Sequence, residues 1–322
     1  MLTKKGHMKW GIYFSWVALL GVYGMEWSLD YWMTLCITNM YYTLGEYLFH
    51  RYTFHSPERF PKITRLHQKH HDVPSHPDRL FIPISITFVN DMVLGMVVYL
   101  LGGSVFKWLS SAHVSYLLFE YAHYGTHSSR FQTLLPRRLI AFHHYHHEDA
   151  TCHYAFTTPY WDILFGTVPS SNRFSFYEYP LAWLPFSILS FLSTDELQVV
   201  TNLVYLWPAM ESWKRGWMYS TWVYALTGCI SAMYHTKNSH SIWKIMDYGF
   251  AISYLIVSVF HWWNTIYLSS YLVIASCILS IILFCLDHSA KSSKLYHIAW
   301  HLMTGMGVGY MLSLVDTHTP AF

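Results

Sequence analysis

Apolar stretches about as long as a bilayer is thick recur along this chain, and that recurrence limits its fold more than any other feature. A helix needs about 20 predominantly apolar residues to cross the hydrocarbon. Such stretches occupy 8–27, 28–49, 81–102, 105–126, 198–213, 217–235, 243–263, 266–286 and 294–315. Charged residues make up 12% of the sequence, against ~25% in an ordinary soluble domain, which excludes a typical water-soluble globule. The expectation is an all-α polytopic membrane protein. The first stretch is not read as a cleavable signal, because a second follows almost at once and no small-residue cleavage site is evident. The segment 180–193 (PLAWLPFSILSFLS) is apolar but short and proline-bounded, so it is expected at an interface. A net charge of +2 without a basic stripe gives nucleic-acid binding no footing. The five scattered cysteines form neither a disulfide framework nor a CxxC zinc motif.

Charge placement sets the expected orientation. Lys4, Lys5 and Lys9 precede the first stretch; Arg51, Arg59, Lys62, Arg65, Lys69 and Arg79 fill one polar loop, and Arg130, Arg137, Arg138 and Arg173 another. The positive-inside rule puts these segments in the cytosol. Lys214 and Arg215 run against the scheme. Polar and proline residues interrupt the pattern at 170–180 (SSNRFSFYEYP), which suggests two domains, 1–175 and 176–322. Fifteen of the 22 histidines fall before that seam and seven after it.

Four histidine clusters stand in the first domain: His50/His55, His67/His70/His71, His123/His127, and His143/His146/His147. Two have the form HxxHH. Positions i, i+3 and i+4 share one helical face, so each triplet aims three imidazoles at one point, and His123 with His127 does the same. His50 and His55 differ, because five residues at 3.6 per turn put them about 140° apart. They straddle a helix end or bind different ions. Any one of these histidines reads equally well as a solvated surface residue; four clusters at helical spacing on one membrane face do not. Four or so ligands satisfy an ion, so ten imidazoles argue for two. Imidazole suits iron, zinc, copper and nickel alike. His7, His76, His113, His144 and His153 lack the pattern and are expected not to be ligands. Tyr42, Tyr47, Phe49 and Phe54 read as an interfacial aromatic belt or as the lining of an acyl path.

The stretches GEYLFHRYTFH, LHQKHH, PDRLFIP, YAHYGTH, FHHYHHED and YAFTTPYWDILFGT, in that order over residues 40–168, resemble the membrane fatty-acid hydroxylase family. The likeness is nearest to the branch that 2-hydroxylates acyl chains of sphingolipids. The resemblance implies a four-helix membrane base under a cytosolic dimetal histidine cap, a pair of iron ions (or zinc in their place), O2 as co-substrate, and electrons delivered by a cytochrome b5-type donor. It also implies an endoplasmic-reticulum location with the metal sites facing the cytosol, and His50, His55, His67, His70, His71, His123, His127, His143, His146 and His147 as ligands. Glu46 and Glu120 read either as carboxylates that orient an imidazole or as helix-end charges. Relatives often carry a fused cytochrome b5 domain, whereas this chain opens almost directly on an apolar stretch, so the donor is expected to be a separate partner.

Past the seam, Ser231 and His235 form one i, i+4 pair and His297 and His301 another, with Asp247 near the start of the intervening stretch. An ionisable residue inside a span costs roughly 2.5–3.5 kcal/mol on insertion scales, so Asp247 needs a partner. Three histidines and a carboxylate can hold a zinc ion with a position left for water. The texts SAMYHTKNSHSIWKIMDYGFAIS and YHIAWHLMTGMGVGYM resemble the superfamily of alkaline ceramidases and progestin/adiponectin-type receptors, which implies a zinc site of Ser231, His235, Asp247, His297 and His301, with Ser231 and Asp247 as its catalytic members. Only about 50 residues separate Asp247 from His297. That leaves a second transmembrane module of about five helices, two fewer than the family's barrel. An active hydrolase, a metal-holding pin and a simple packing module all remain open there.

Together the two resemblances imply a monooxygenase acting on the acyl chain of a ceramide or related membrane lipid at C2, fused to a zinc-dependent lipid amidase. A sterol or lipid desaturase uses the same metals, and a non-catalytic metal-containing lipid sensor uses the same ligands.

Overall fold

The computed structural model describes residues 29–76, 84–128, 131–185, 188–237, 241–265, 271–287 and 293–314. The apolar stretch 8–27, the whole PDRLFIP segment (77–83) and His7 lie outside the described residues. All regular structure among the described residues is helical, as the apolar pattern requires. Contacts divide the chain into two compact units, Met1–Leu192 and Ser193–Phe322.

In the first unit α3 (Ile84–Leu100) and α4 (Val105–Thr126) are two long helices on the apolar stretches 81–102 and 105–126, α1 (Leu29–Phe49) lies on the stretch 28–49, and the shorter α2 (Pro61–Asp72) comes between α1 and α3 in the chain. α1 is the third long helix, and it packs along α4 through a polar seam. The Tyr31 hydroxyl and Ser110 Oγ are 3.1 Å apart, and Asn39 Nδ2 donates to Ser115 Oγ at 3.1 Å. Thr38 and Ser111 are fully buried between them. The outward side of α3 shows the opposite chemistry, exposing Met92, Val93, Met96 and Val97. Polar inside and apolar outside inverts a water-soluble bundle, and it is the pattern that lipid permits, since close contact of small polar residues holds helices together where apolar surface has nothing to escape from.

Beyond the long helices come α2, α5 (Arg137–Glu148) and α6 (Tyr160–Leu164). α2 starts on Pro61, whose missing N–H costs nothing at a first helical position. α5 packs Leu139 and Phe142 into a core with Ala122 of α4. The segment 180–193, expected at an interface, forms 3-10 turns at Pro180–Trp183 and Ile188–Phe191. It delivers Ala182 and Phe191, both fully buried, into that same core. Leu192 is buried with them, while Trp183, Leu184 and Leu189 stay exposed, so the segment both feeds the core and presents apolar side chains at its surface.

The second unit opens with α7 (Thr194–Val200), whose start is fixed by a capping box. Ser193 Oγ accepts from the Glu196 backbone N–H, and Glu196 Oε2 accepts from the Ser193 N–H at 2.8 Å. A 3-10 turn at Thr201–Tyr205 leads into α8 (Leu206–Lys214). The stretch expected as one span at 198–213 is thus an interrupted helix. α9 (Met218–Lys237), α10 (Ser241–Thr265), α11 (Tyr271–Asp287) and α12 (Ser293–Ser313) follow, around a core that includes Tyr205, Tyr224, Tyr254 and Leu312. Lys214 and Arg215, which ran against the charge rule, both pair with Glu211 at 2.8 Å. Among the described residues, Ile242–Trp262 is the one helical segment long and apolar enough to cross a membrane by length and composition.

Gly228 lets α9 touch the 3-10 turn: a Cβ there would stand 2.8 Å from the Asn202 carbonyl oxygen, a backbone atom that cannot swing aside. Overpacking costs about 1–3 kcal/mol. Gly228→Ala should therefore lower the thermal unfolding midpoint of the detergent-solubilised chain. Gly249→Ala, with open space around its Cβ, should leave the midpoint unchanged or raise it. Equal effects of the two would disprove the close approach.

Candidate metal centres

Among the described residues, three groups of side chains are arranged to hold a metal ion, each with its ligand atoms within 4.8 Å of one another. The first comprises His50, His55, His67, His71 and His146; the second His70, His127, His143 and His147; the third His235, His297 and His301. His123 abuts the second, its Nε2 3.0 Å from that of His70. All ten histidines expected in the first domain therefore gather in two adjoining places.

Local structure explains how. The two HxxHH helices interlock. α2 sends His67 and His71 to the first group and His70 to the second, while α5 sends His143 and His147 to the second and His146 to the first. In each triplet the i, i+4 pair serves one ion position and the i+3 residue the other. Side chains three and four apart diverge slightly around a helix, and that divergence separates the two groups. The phase problem of His50 and His55 is settled by a π-helical turn, His50–Phe54, at the end of α1. Its i→i+5 bond, His55 N–H to His50 carbonyl at 3.2 Å, puts residues five apart on one face. The pair straddles a helix end and serves one group, with its Nε2 atoms 3.2 Å apart.

The donor geometry fits an ion. Metal–imidazole bonds of about 2.0–2.1 Å place neighbouring nitrogens roughly 2.9–3.4 Å apart. In the first group the Nε2 atoms of His50 and His67, His55 and His67, and His67 and His71 are each 3.0 Å apart, and those of His55 and His146 3.1 Å. In the second, His143 Nε2 lies 2.7 Å from His127 Nε2 and 3.0 Å from His147 Nε2. Several of these nitrogens carry no proton. His50 Nδ1 stands 2.6 Å from the Tyr154 carbonyl and His146 Nδ1 2.7 Å from that of Cys152. A carbonyl only accepts, so both Nδ1 atoms are protonated and the Nε2 lone pairs face inward. Crowded lone pairs repel, and a cation turns that repulsion into binding.

Burial keeps these rings neutral. It pushes His55 down to about 4, with His71 nearby adding to the shift, and His146 down to about 3. His70, His127 and His147 are each pushed down to about 2 by burial first and neighbouring imidazoles second. His50 and His143 are lowered for the same reasons.

Residues that the sequence motifs left without a role complete the site. The loop joining α5 to α6 supplies the two carbonyls that take His50 and His146, and two buried carboxylates pin it. Asp162, fully buried, accepts the N–H groups of Tyr154 at 2.8 Å and Ala155 at 2.7 Å and the Thr167 hydroxyl at 2.5 Å. Burial raises its pKa to about 7 against the pull of those donors. Glu46 accepts from the N–H groups of Phe156 and Thr157 and the Thr157 hydroxyl, so it orients this loop rather than an imidazole. Glu120 takes the hydroxyl of Tyr116. The WD of the trailing TTPYWD was the available signal for Asp162. Tyr47 is fully buried and stacks on Phe165 with centroids 5.1 Å apart, whereas Phe49 is exposed. His153 stacks on Phe142 and His113 bonds its own helix's Leu109 carbonyl; neither belongs to a metal group.

In the second unit His297 Nε2 lies 3.0 Å from His235 Nε2, and the buried His301 completes the triad, its ring 4.4 Å from that of His297. Thr201 Oγ1, whose proton goes to the Leu197 carbonyl at 2.8 Å, lies 3.3 Å from His301 Nδ1. Ser231 hydrogen-bonds Asp247, and His297 is close enough to act on its charge. The five residues singled out from sequence therefore share one neighbourhood.

The fatty acid hydroxylase family model matches residues 35–167, the span that supplies all ten histidines of the first two groups. Over that span the chain is similar to the fatty acid hydroxylase family. It is similar to the ceramide very long chain fatty acid hydroxylase scs7 of Schizosaccharomyces pombe, at 27% identity over 139 residues, covering 39% of each chain. The chain spans well under half the length of that relative. No solved structure matches the chain significantly.

The low histidine pKa values fix a pH dependence. The unfolded chain takes up protons near 6.5, while His55 in the folded protein waits until about 4 and His146 until about 3. Between those limits the unfolded state binds more protons, so stability rises with pH. The unfolding midpoint of chelator-treated protein should fall as pH drops from 7.5 to 5. A flat or rising midpoint would mean the rings are not buried as neutral bases.

Proposed function

We propose that this protein is a multi-pass membrane dimetal monooxygenase that hydroxylates the fatty acyl chain of a ceramide or sphingolipid-like substrate at C2. The observation that carries the reading is the convergence of ten imidazoles into two adjoining groups inside the region matched by the hydroxylase family. The similarity to a ceramide very long chain fatty acid hydroxylase supports the lipid. In this reading His50, His55, His67, His71 and His146 hold one ion, and His70, His123, His127, His143 and His147 the other.

An acyl C–H bond has no acidity for an acid–base pair to exploit, and the bound metals, iron by this reading, would supply oxidising power from O2. The chain's own residues do the rest. The interlocked helices hold both ions at fixed separation, and the loop carbonyls of Cys152 and Tyr154 keep His146 and His50 in the tautomer that faces a metal. The apolar exterior and polar interhelical seam of the first unit support a lipid environment, from which an acyl chain would enter. Electrons would come from a separate cytochrome b5-type donor. The arginines and lysines of the two histidine-bearing loops favour a cytosolic site on an endoplasmic-reticulum membrane.

For the second unit, residues 193–322, the reading is a ceramidase-superfamily-like module with one zinc ion on His235, His297 and His301. It is favoured by the triad's inward nitrogens and by the Ser231–Asp247 contact. A zinc ion on these histidines would supply an acidified water for hydrolysis, with Asp247 as the base that would take up its proton. Such a module would release the acyl chain as a lipid amidase.

Lipid mass spectrometry of cells expressing the wild-type chain should reveal acyl lipids heavier by one oxygen atom, absent with the His70→Ala, His71→Ala double variant. A product lighter by two hydrogens would make it a desaturase, and no product at all would favour a lipid sensor. Asp247→Asn and Ser231→Ala should each abolish fatty acid release from ceramide. Unchanged release retires the amidase reading.

A further inference from the structure

The peptide unit joining Tyr154 to Ala155 carries two hydrogen bonds of opposite sense. Its carbonyl accepts the Nδ1 proton of His50 at 2.6 Å, and its N–H donates to Asp162 Oδ2 at 2.7 Å. The chain has no cis peptide among the described residues, so the two groups point to opposite sides of one conjugated plane. A negative carboxylate at the N–H draws that proton toward itself and pushes electron density through the amide onto the carbonyl oxygen. Hydrogen bonds in such chains strengthen one another. Burial of Asp162 works against its charge, but its other contacts, the Tyr154 N–H and Thr167 hydroxyl, are donors too, and these donors favour the ionised form, so the relay operates above about pH 7.

The neighbouring peptide unit provides a comparison within the same loop. The Cys152 carbonyl accepts from His146 Nδ1 at 2.7 Å, but the N–H of that unit, on His153, donates to the Thr167 backbone carbonyl at 3.2 Å. One ligand imidazole is thus backed through a peptide by a carboxylate and the other by a neutral carbonyl.

We propose that Asp162 is a positioning residue for the first metal centre, the charged end of a carboxylate–peptide–imidazole relay that fixes the His50 tautomer and strengthens electron donation from its Nε2. The relay rests on reading the first histidine group as a metal centre. A carboxylate bonded directly to a ligand imidazole is typically worth 10–100-fold in metal affinity, and the inserted peptide transmits the same influence while keeping the charge farther from the ion.

Zinc is the probe, with the full chain in detergent and binding set by chelator competition. Asp162→Asn keeps the shape but presents an amide N–H to a backbone N–H. It should weaken the first-centre zinc by about 10-fold or more and leave the second-centre zinc unchanged, while the lost hydrogen bond lowers the unfolding midpoint of the metal-free protein without unfolding it at the assay temperature. Wild-type zinc affinity in this variant, or equal weakening at both centres, overturns the relay. In zinc-loaded wild-type protein labelled with 15N-histidine, the His50 Nδ1 proton should resonate downfield of the His146 Nδ1 proton, a readout that stands even if the variant does not fold. An unprotonated His50 Nδ1, or no difference between the two, overturns the relay as well. Wild-type protein that binds no zinc at His50 overturns the metal-centre reading itself, whereas bound zinc with an indifferent Asp162 overturns only the relay.

Discussion

Crowding of imidazole lone pairs is the interaction on which the first unit depends. Nitrogens 2.7–3.2 Å apart, stripped of protons by burial and by Nδ1 bonds to carbonyls, repel one another unless a cation sits among them. Holding them there requires rigidity from every side. The π turn ending α1, the interlocked HxxHH helices and the loop pinned by Glu46 and Asp162 each answer that requirement. A buried polar network is worth its cost only when every member is satisfied, and this loop satisfies its N–H groups with carboxylates and its carbonyls with ligand rings.

The inverted chemistry of the long helices follows from a different constraint. Thr38, Asn39, Ser111 and Ser115 are buried while Met92, Val93 and Met96 are exposed, so the contact between α1 and α4 rests on close packing and hydrogen bonds more than on apolar burial. The same arrangement leaves the cap as the place where hydrophobic burial operates in the ordinary sense, through Leu139, Phe142 and Phe191. The stretch 180–193 belongs to that core, which explains why it is apolar without being long.

In the second unit a 3-10 turn plays the part that the π turn plays in the first. Thr201–Tyr205 interrupts an apolar helix, and its first residue, Thr201, reaches His301 while its last, Tyr205, bonds Thr304 at 3.1 Å. The parallel is partial: the π turn brings two histidines of one group together, whereas His235, His297 and His301 all stand on regular α-helices and the 3-10 turn only supplies Thr201 beside His301.

Periodicity and residue type alone determined much here: helices throughout, the apolar stretches, the HxxHH faces, and the ten histidines that belong together. Those features are local, and three- and four-residue spacing on a helix translates directly into a shared face. Which histidine joins which group was legible only in the tertiary structure, because it depends on how α2 and α5 approach each other. So was the common destination of His50 and His55, since no sequence rule announces a π turn. The roles of Asp162 and Glu46 lay hidden for a further reason: they act on backbone N–H groups, and a backbone partner leaves no mark on the sequence of the residue that carries it.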